Sequence, residues 1–128
     1  MGRILRVALT ALFLALLAAG CSKSEDKLSQ IQGKVYYRGV PLHGGTIVFV
    51  PDAERGGHGP ELAAEIRPDG SYSLKGENGQ GVNPGCYRVT IAADAADALP
   101  ERYSDPDKSG ENHEIKPGVV NIVDIRLD

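Results

Sequence analysis

The chain has 128 residues, with 14 Lys or Arg against 17 Asp or Glu, and a net charge of −3. That length suits one domain with a single core and not two. An acidic balance with no Lys/Arg cluster argues against nucleic acid as a partner and against attraction to anionic lipid head groups, because such a surface repels both.

Arg3 and Arg6 precede Val7–Ala19, an uncharged run rich in Leu and Ala. Positive charge, an apolar run and then small residues are the order of an export signal. A bilayer-spanning helix needs about 20 apolar residues, more than this run holds. Residues 1–20 therefore read as a signal-peptide helix that is removed rather than kept as an anchor. Ala18-Ala19-Gly20-Cys21 resembles the bacterial lipobox. That resemblance implies cleavage between Gly20 and Cys21, diacylglycerol on the Cys21 thiol, fatty acyl chains such as palmitate, and a lipoprotein held at the membrane. Two or more acyl chains give stable attachment. Ser22 after the Cys favours the outer membrane. The common lipobox has Leu where this chain has Ala18, and Ala18-x-Gly20 also meets the small-x-small rule of ordinary cleavage. A plain secreted chain with a free Cys21 thus stays open as the alternative.

Without Arg3 and Arg6 the remainder carries 12 basic and 17 acidic residues, a net charge of −5. Ser22–Gln30 (SKSEDKLSQ) is polar and aperiodic, so residues 21–30 read as a flexible tether. Residues 31–128 form the domain. If Cys21 carries lipid, Cys86 has no intrachain partner; if it does not, a Cys21–Cys86 bridge is open. Cys86 itself reads as a tolerated thiol at the start of a strand.

Period-2 alternation bounded by turn residues recurs along the domain. Ile31, Val35 and Tyr37 point to one face, and Gln32, Lys34 and Tyr36 to the other. Arg38–Gly45 is turn chemistry, with Leu42 folding back onto the core. Thr46–Val50 is a strand with Ile47 and Phe49 inward, stopped by Pro51. Asp52–Pro60 is a loop. Ala64 and Ile66 face inward before the turn at Pro68-Asp69-Gly70-Ser71, and Tyr72 and Leu74 after it. Gly76–Pro84 is a second Gly-rich loop. In Gly85–Ile91, Tyr87, Val89 and Ile91 face inward and Cys86, Arg88 and Thr90 outward. Ala92–Ala98 has room for one helical turn before Pro100. The last two strands lie near Asn112–Lys116 and Val119–Leu127, joined by a hairpin turn at Pro117-Gly118, with Val123, Ile125 and Leu127 inward. About seven short strands and no long helix predict an all-β fold, a seven-stranded antiparallel β-sandwich.

Three pieces in this order resemble the carboxypeptidase regulatory-like domain, a transthyretin-like (prealbumin-type) Greek-key sandwich. They are Gly33-Lys-Val35 with Gly39-Val-Pro41-Leu42 and Gly44-Gly45-Thr-Ile47-Val-Phe49; Asp69-Gly70-Ser-Tyr72-Ser-Leu74; and Pro84-Gly85-Cys-Tyr87-Arg-Val89. The tail, with Tyr103-Ser-Asp-Pro106 and Ser109-Gly110, looks like small bacterial lipoproteins that carry this domain alone. The resemblance implies turn and core roles for Pro41, Gly45, Gly70, Tyr72, Pro84, Gly85 and Tyr87. It implies no catalytic residue, since in metallocarboxypeptidases this domain is a non-catalytic companion.

The residues that carry chemistry assemble poorly. His43, His58 and His113 form no H-x-x-H pair, and after His113-Glu114 the place of a second zinc-binding His is taken by Pro117. His43 and His58 flank one strand and read as exposed loop imidazoles, so no metal is expected. Ser71, Ser73, Ser104 and Ser109 lack a G-x-S-x-G setting, and no helix follows Gly76–Gly81 to make a phosphate site. Asp105 and Asp107 read as solvated loop carboxylates rather than calcium ligands. Tyr36 on an outward face and Tyr103 in a loop are the rings a glycan site would use. The expectation is a non-enzymatic structural or protein-binding module with no cofactor, lipid-anchored at the cell envelope and working through an envelope protein partner. The alternative is a glycan- or small-ligand-binding lipoprotein.

Overall fold

The computed structural model describes residues 27–94 and 99–128. The expected signal peptide, Cys21 and most of the expected tether lie outside the described residues, as does most of the helical turn expected over Ala92–Ala98. Ala92 and Ala93 themselves extend a strand instead.

The described residues build an all-β fold of two sheets. The strands are β1 (Gln30–Tyr37), β2 (Val40–Pro41), β3 (Gly45–Pro51), β4 (Leu62–Ile66), β5 (Ser71–Leu74), β6 (Gly85–Ala93), β7 (Asn112–Ile115), β8 (Val120–Ile122) and β9 (Ile125–Leu127). Nine strands stand where seven were expected, because β2 and the break between β8 and β9 each add one. In one sheet β1 is central, with β2 and β5 antiparallel to it and β8 and β9 parallel to it. The other runs β4-β3-β6-β7, antiparallel throughout.

Alternation places the core as expected. Ile31, Val35, Leu42, Ile47, Phe49, Ile66, Tyr72, Leu74, Tyr87, Val89, Ile91, Val123, Ile125 and Leu127 are all buried in one cluster. Phe49 binds the layers together: its ring centroid lies 6.0 Å from that of Tyr72 on the facing sheet and 5.9 Å from that of Tyr87. The β1–β2 hairpin turns on Arg38 and Gly39, both at positive φ (52° and 81°), as a two-residue turn matched to strand twist requires.

Four local expectations change. Pro117-Gly118 is not a hairpin turn: β7 belongs to the four-stranded sheet and β8 to the other, so the segment crosses between layers. The last strand consequently runs parallel to β1 and not antiparallel to a neighbour. Pro68–Gly70 crosses layers in the same way, from β4 to β5, closed by Gly70 N–H to the Arg67 carbonyl at 2.8 Å. Thr90, expected outward, is buried, since the turn at Glu101–Ser104 packs on β6. The Gly76–Pro84 loop supplies a core residue, Val82, which bridges Ser29. Among the described residues, β-bridge pairing thus starts at Ser29, two residues before Ile31.

One constraint sets the five-stranded sheet. Gly33 pairs with Tyr72 across β1 and β5, and a Cβ on Gly33 would lie 2.0 Å from the Val123 carbonyl oxygen. The Tyr72 hydroxyl donates to that same oxygen at 2.5 Å. Burial, then the nearby Asp124 charge, push the Tyr72 phenol above its ordinary range, so it stays a donor at physiological pH. Tyr72→Phe should cost about 1–3 kcal/mol in urea unfolding, the usual range for a buried acceptor losing its partner. Gly33→Ala should cost more, because the Val123 backbone must move to admit the methyl group.

Candidate functional site

Pro41 pairs with Tyr36 at the end of the β1–β2 hairpin. Gly70 (φ 85°) packs against it, with Pro41 Cβ 2.9 Å from where a Cβ on Gly70 would lie. Gly45 (φ 129°) and Gly85 (φ 128°) open β3 and β6, and a Cβ on Gly45 would lie 2.3 Å from the Ala92 carbonyl oxygen. Pro84 precedes β6, half-buried. The Tyr87 hydroxyl donates to the Asn83 carbonyl at 2.7 Å, a Tyr-to-upstream-backbone bond of the kind that fixes corners in sandwiches. Together with Tyr72, the six residues Pro41, Gly45, Gly70, Pro84, Gly85 and Tyr87 form no single site. They lie at turns and in the core.

The chemical candidates are also dispersed. His43 and His58 are exposed at opposite ends of the seven-residue β3, about 20 Å apart at strand rise. His113 meets Glu111 at 3.1 Å. Among the described residues no group of three His, Cys, Asp or Glu stands ready to hold a metal ion. Asp105 accepts the Asp107 N–H at 2.9 Å, and Asp107 pairs with Arg88, so both carboxylates organise their own loop. Ser104 bonds back to Glu101, and Ser109 is buried. Among the described residues Cys86 has no disulfide partner, and it is half-buried in β6.

The two tyrosines proposed for sugar stacking are otherwise engaged. Tyr103 is buried, its hydroxyl accepting the Asp128 N–H at 3.0 Å, with the Arg102 guanidinium 4.6 Å over its ring. The expectation of an exposed loop ring at Tyr103 is therefore corrected: the turn that carries it folds down onto β6 and the C-terminus. Tyr36 is half-buried, with one ring face covered by the Arg126 guanidinium at 4.6 Å.

Two surface features were not singled out from sequence. The first is an ion cluster at one end of the four-stranded sheet, beside a cavity of about 210 Å³ lined by Asp52, Arg55, Arg88, Asp107 and neighbours. The Asp52 side chain is only 4% exposed and meets Arg88 Nε at 3.2 Å. Hydrogen bonding to Asp52, then the charge of Asp52, and then Asp107 and Glu54 hold the Arg88 guanidinium above its ordinary value. Asp52 also accepts the Glu54 N–H at 3.2 Å, capping the turn at Ala53–Arg55. The cluster clamps two loops to β6, and with the arginine already among the carboxylates it suits no added cation. Asp52 directly after a strand-ending Pro was the available signal.

The second is an open groove of about 590 Å³ on the outer face of the five-stranded sheet, lined by Gln32, Lys34, Arg67, Ser71, Ser73, Lys75, Ile122 and Asp124 among others. Lys34, Arg67 and Lys75 lend it positive charge, partly offset by Asp124, which accepts the Lys34 N–H at 2.9 Å. Strand alternation had placed Lys34 outward. It gave no sign that Ile122 would join it, because that needed the parallel β1–β8 register.

No protein-family model matches the chain, and none of the curated proteins matches it. Among solved structures it is similar to a DUF3823 family protein from Bacteroides ovatus, at 19% identity and a TM-score of 0.49, covering 77% of this chain and 44% of that one. It is also similar to a DUF3823 family protein from Parabacteroides merdae, at 16% identity and a TM-score of 0.45, covering 79% and 46%. The chain thus spans less than half the length of these structures.

At the rim of the groove, Asp69 accepts the Ser71 hydroxyl at 2.6 Å and the Ser71 N–H at 3.0 Å. These bonds, the hydroxyl first, hold the Asp69 carboxyl below its ordinary range. A folded-state depression makes its contribution to stability fully present above the unfolded carboxylate value of about 3.9, and lost as pH falls through the lower folded value. In Ser71→Ala the Asp69 titration, followed by carboxyl carbon NMR, should move upward. An unchanged midpoint would show that the hydroxyl is not the cause.

Proposed function

We propose that this chain is an exported bacterial lipoprotein, held at the envelope by lipid on Cys21, with a non-enzymatic β-sandwich as a structural or protein-binding module. The observation that carries the reading is the order of residues 1–21: two arginines, an apolar run too short to span, small residues, and then Cys21 directly ahead of a polar stretch. Ser22 favours the outer membrane. The domain is compatible with a binding role, since the polar side chains weighed for chemistry, Asp105, Asp107 and His113, are engaged in a turn, an ion pair and a side-chain bond to Glu111. Its flanking strands offer edges for strand addition.

We further propose that the sandwich is of the carboxypeptidase regulatory-like, prealbumin type. The support is that Pro41, Gly70, Tyr72 and Tyr87, which carry that resemblance, each hold a turn or a core bond.

The intact mass of the protein extracted from its native membrane tests the anchor. The expected species begins at Cys21 and carries diacylglycerol, whereas Cys21→Ser leaves the chain without added lipid mass. An unmodified Cys21, or a Cys21–Cys86 disulfide, overturns the anchor.

A further inference from the structure

Among the described residues, three of the exposed large hydrophobic side chains fall within four positions: Val119 and Val120, each 50% exposed, and Ile122, 63% exposed. Lys116, Pro117 and Gly118, which lead into them, are exposed as well. Val120 and Ile122 stand in register with Gln30 and Gln32 of β1. Both therefore belong to the outer face of the sheet, away from the core.

The shape of this loop is imposed. Ser29 Oγ donates to the Lys116 carbonyl at 2.6 Å and accepts the Gly118 N–H at 3.0 Å. Asn121 Oδ1 accepts the Lys116 N–H at 2.9 Å, while its Nδ2 donates to the carbonyls of Lys116, Val119 and Gln30 at 3.1–3.4 Å. The Gln30 N–H donates to the Val119 carbonyl at 3.2 Å. Seven polar contacts thus fix a loop whose tips are valines. Apolar surface held in water is unfavourable, and a pinned loop has no freedom to bury it by local collapse.

The position of the chain's N-terminal side identifies what covers the patch. The Lys27 carbonyl accepts the Gly118 N–H at 3.2 Å, and a Cβ on Gly118 would lie 3.3 Å from the Lys27 side chain. The described chain thus begins against this loop. Cys21 precedes Lys27 by six residues, which span at most about 20 Å even when fully extended. On the lipid-anchor reading, on which this inference rests, the acyl chains are therefore tied within that reach of the apolar tips. Against the acidic balance of the whole chain, Lys27 and Lys116 add local positive charge of the sign that anionic head groups attract.

We propose that Val119, Val120 and Ile122 form the membrane-facing patch of the anchored domain, seated in the head-group region of the bilayer that holds the Cys21 lipid. The anchor and the patch then act as two joined contacts, fixing which face of the domain meets the membrane and which is turned to partners. In that orientation the far sheet, β4-β3-β6-β7, is the face left open.

The test uses the full lipidated protein purified from membranes and placed in vesicles of phosphatidylethanolamine and phosphatidylglycerol. With Cys86→Ser in the background, an environment-sensitive fluorophore is attached at Val120→Cys or, as control, at Thr46→Cys on the exposed side of β3. Lipids bearing a quenching nitroxide should quench the label at 120 several-fold more than the label at 46. Placing Val119→Asp with Ile122→Asp beside the 120 label should remove that difference without lowering the urea midpoint. Equal quenching at both positions, in protein whose mass shows the lipid, overturns the patch and leaves the anchor standing. Energy transfer between labelled copies without lipid quenching assigns the patch to a second copy and overturns it too. A mass without lipid overturns the anchor, and the patch with it.

Discussion

Gly33 faces the core from the middle of β1, and the carbonyl of Val123 occupies the space its side chain would need. Tyr72, its partner on β5, places a hydroxyl on that carbonyl from within the core. The two residues together let the chain approach β1 on its far side, where β8 and β9 dock parallel to it. A side chain at 33 would hold Val123 away and leave the phenol without its acceptor. The Tyr72 ring also lies against Phe49 of the opposite sheet, so the same residue sets the β1 neighbourhood and the contact between layers.

From this constraint follows the interrupted last strand. Between β8 and β9 the Asp124 carboxylate, rather than a backbone carbonyl, takes the Lys34 N–H, while the Val123 N–H reaches the Gln32 carbonyl at 2.8 Å. The ladder shifts there without leaving a buried donor unsatisfied. Beyond the shift, Ile125 and Leu127 return to the core; before it, Val120 and Ile122 face outward. The exposed apolar stretch is thus a direct result of how the chain reaches β1.

The opposite end of the molecule is organised by charge. Asp52 is buried at the end of β3, and its stability there depends on Arg88, since a buried carboxylate is costly without a partner. Arg88 in turn holds Asp107 and with it the loop that returns to β7. The polar residues that looked most available for chemistry, Asp105, Asp107, Ser109 and Tyr103, are engaged in placing that loop and the C-terminus.

Much of the fold was legible because strand alternation is a local property: a residue's face follows from its neighbours two positions away. Ile47, Phe49, Tyr87, Val89, Ile91, Val123, Ile125 and Leu127 all read correctly on that basis. The turns at Pro68–Gly70 and Pro117–Gly118 were legible as turns for the same reason. Which strands they joined was not, because a turn's chemistry is the same whether the chain returns to its own sheet or crosses to the other. The burial of Tyr103 and Thr90, the Asp52–Arg88 clamp and the pinned Lys116–Asn121 loop all depend on contacts between residues far apart in sequence. By itself, the sequence determined the alternating faces, the turn positions and the signal-like order that ends at Cys21, since each is written in adjacent residues. Only the tertiary structure decided the parallel docking of the last strand, and with it the apolar patch beside the start of the domain, because that register is set by Gly33, Tyr72 and Val123 meeting across the sheet.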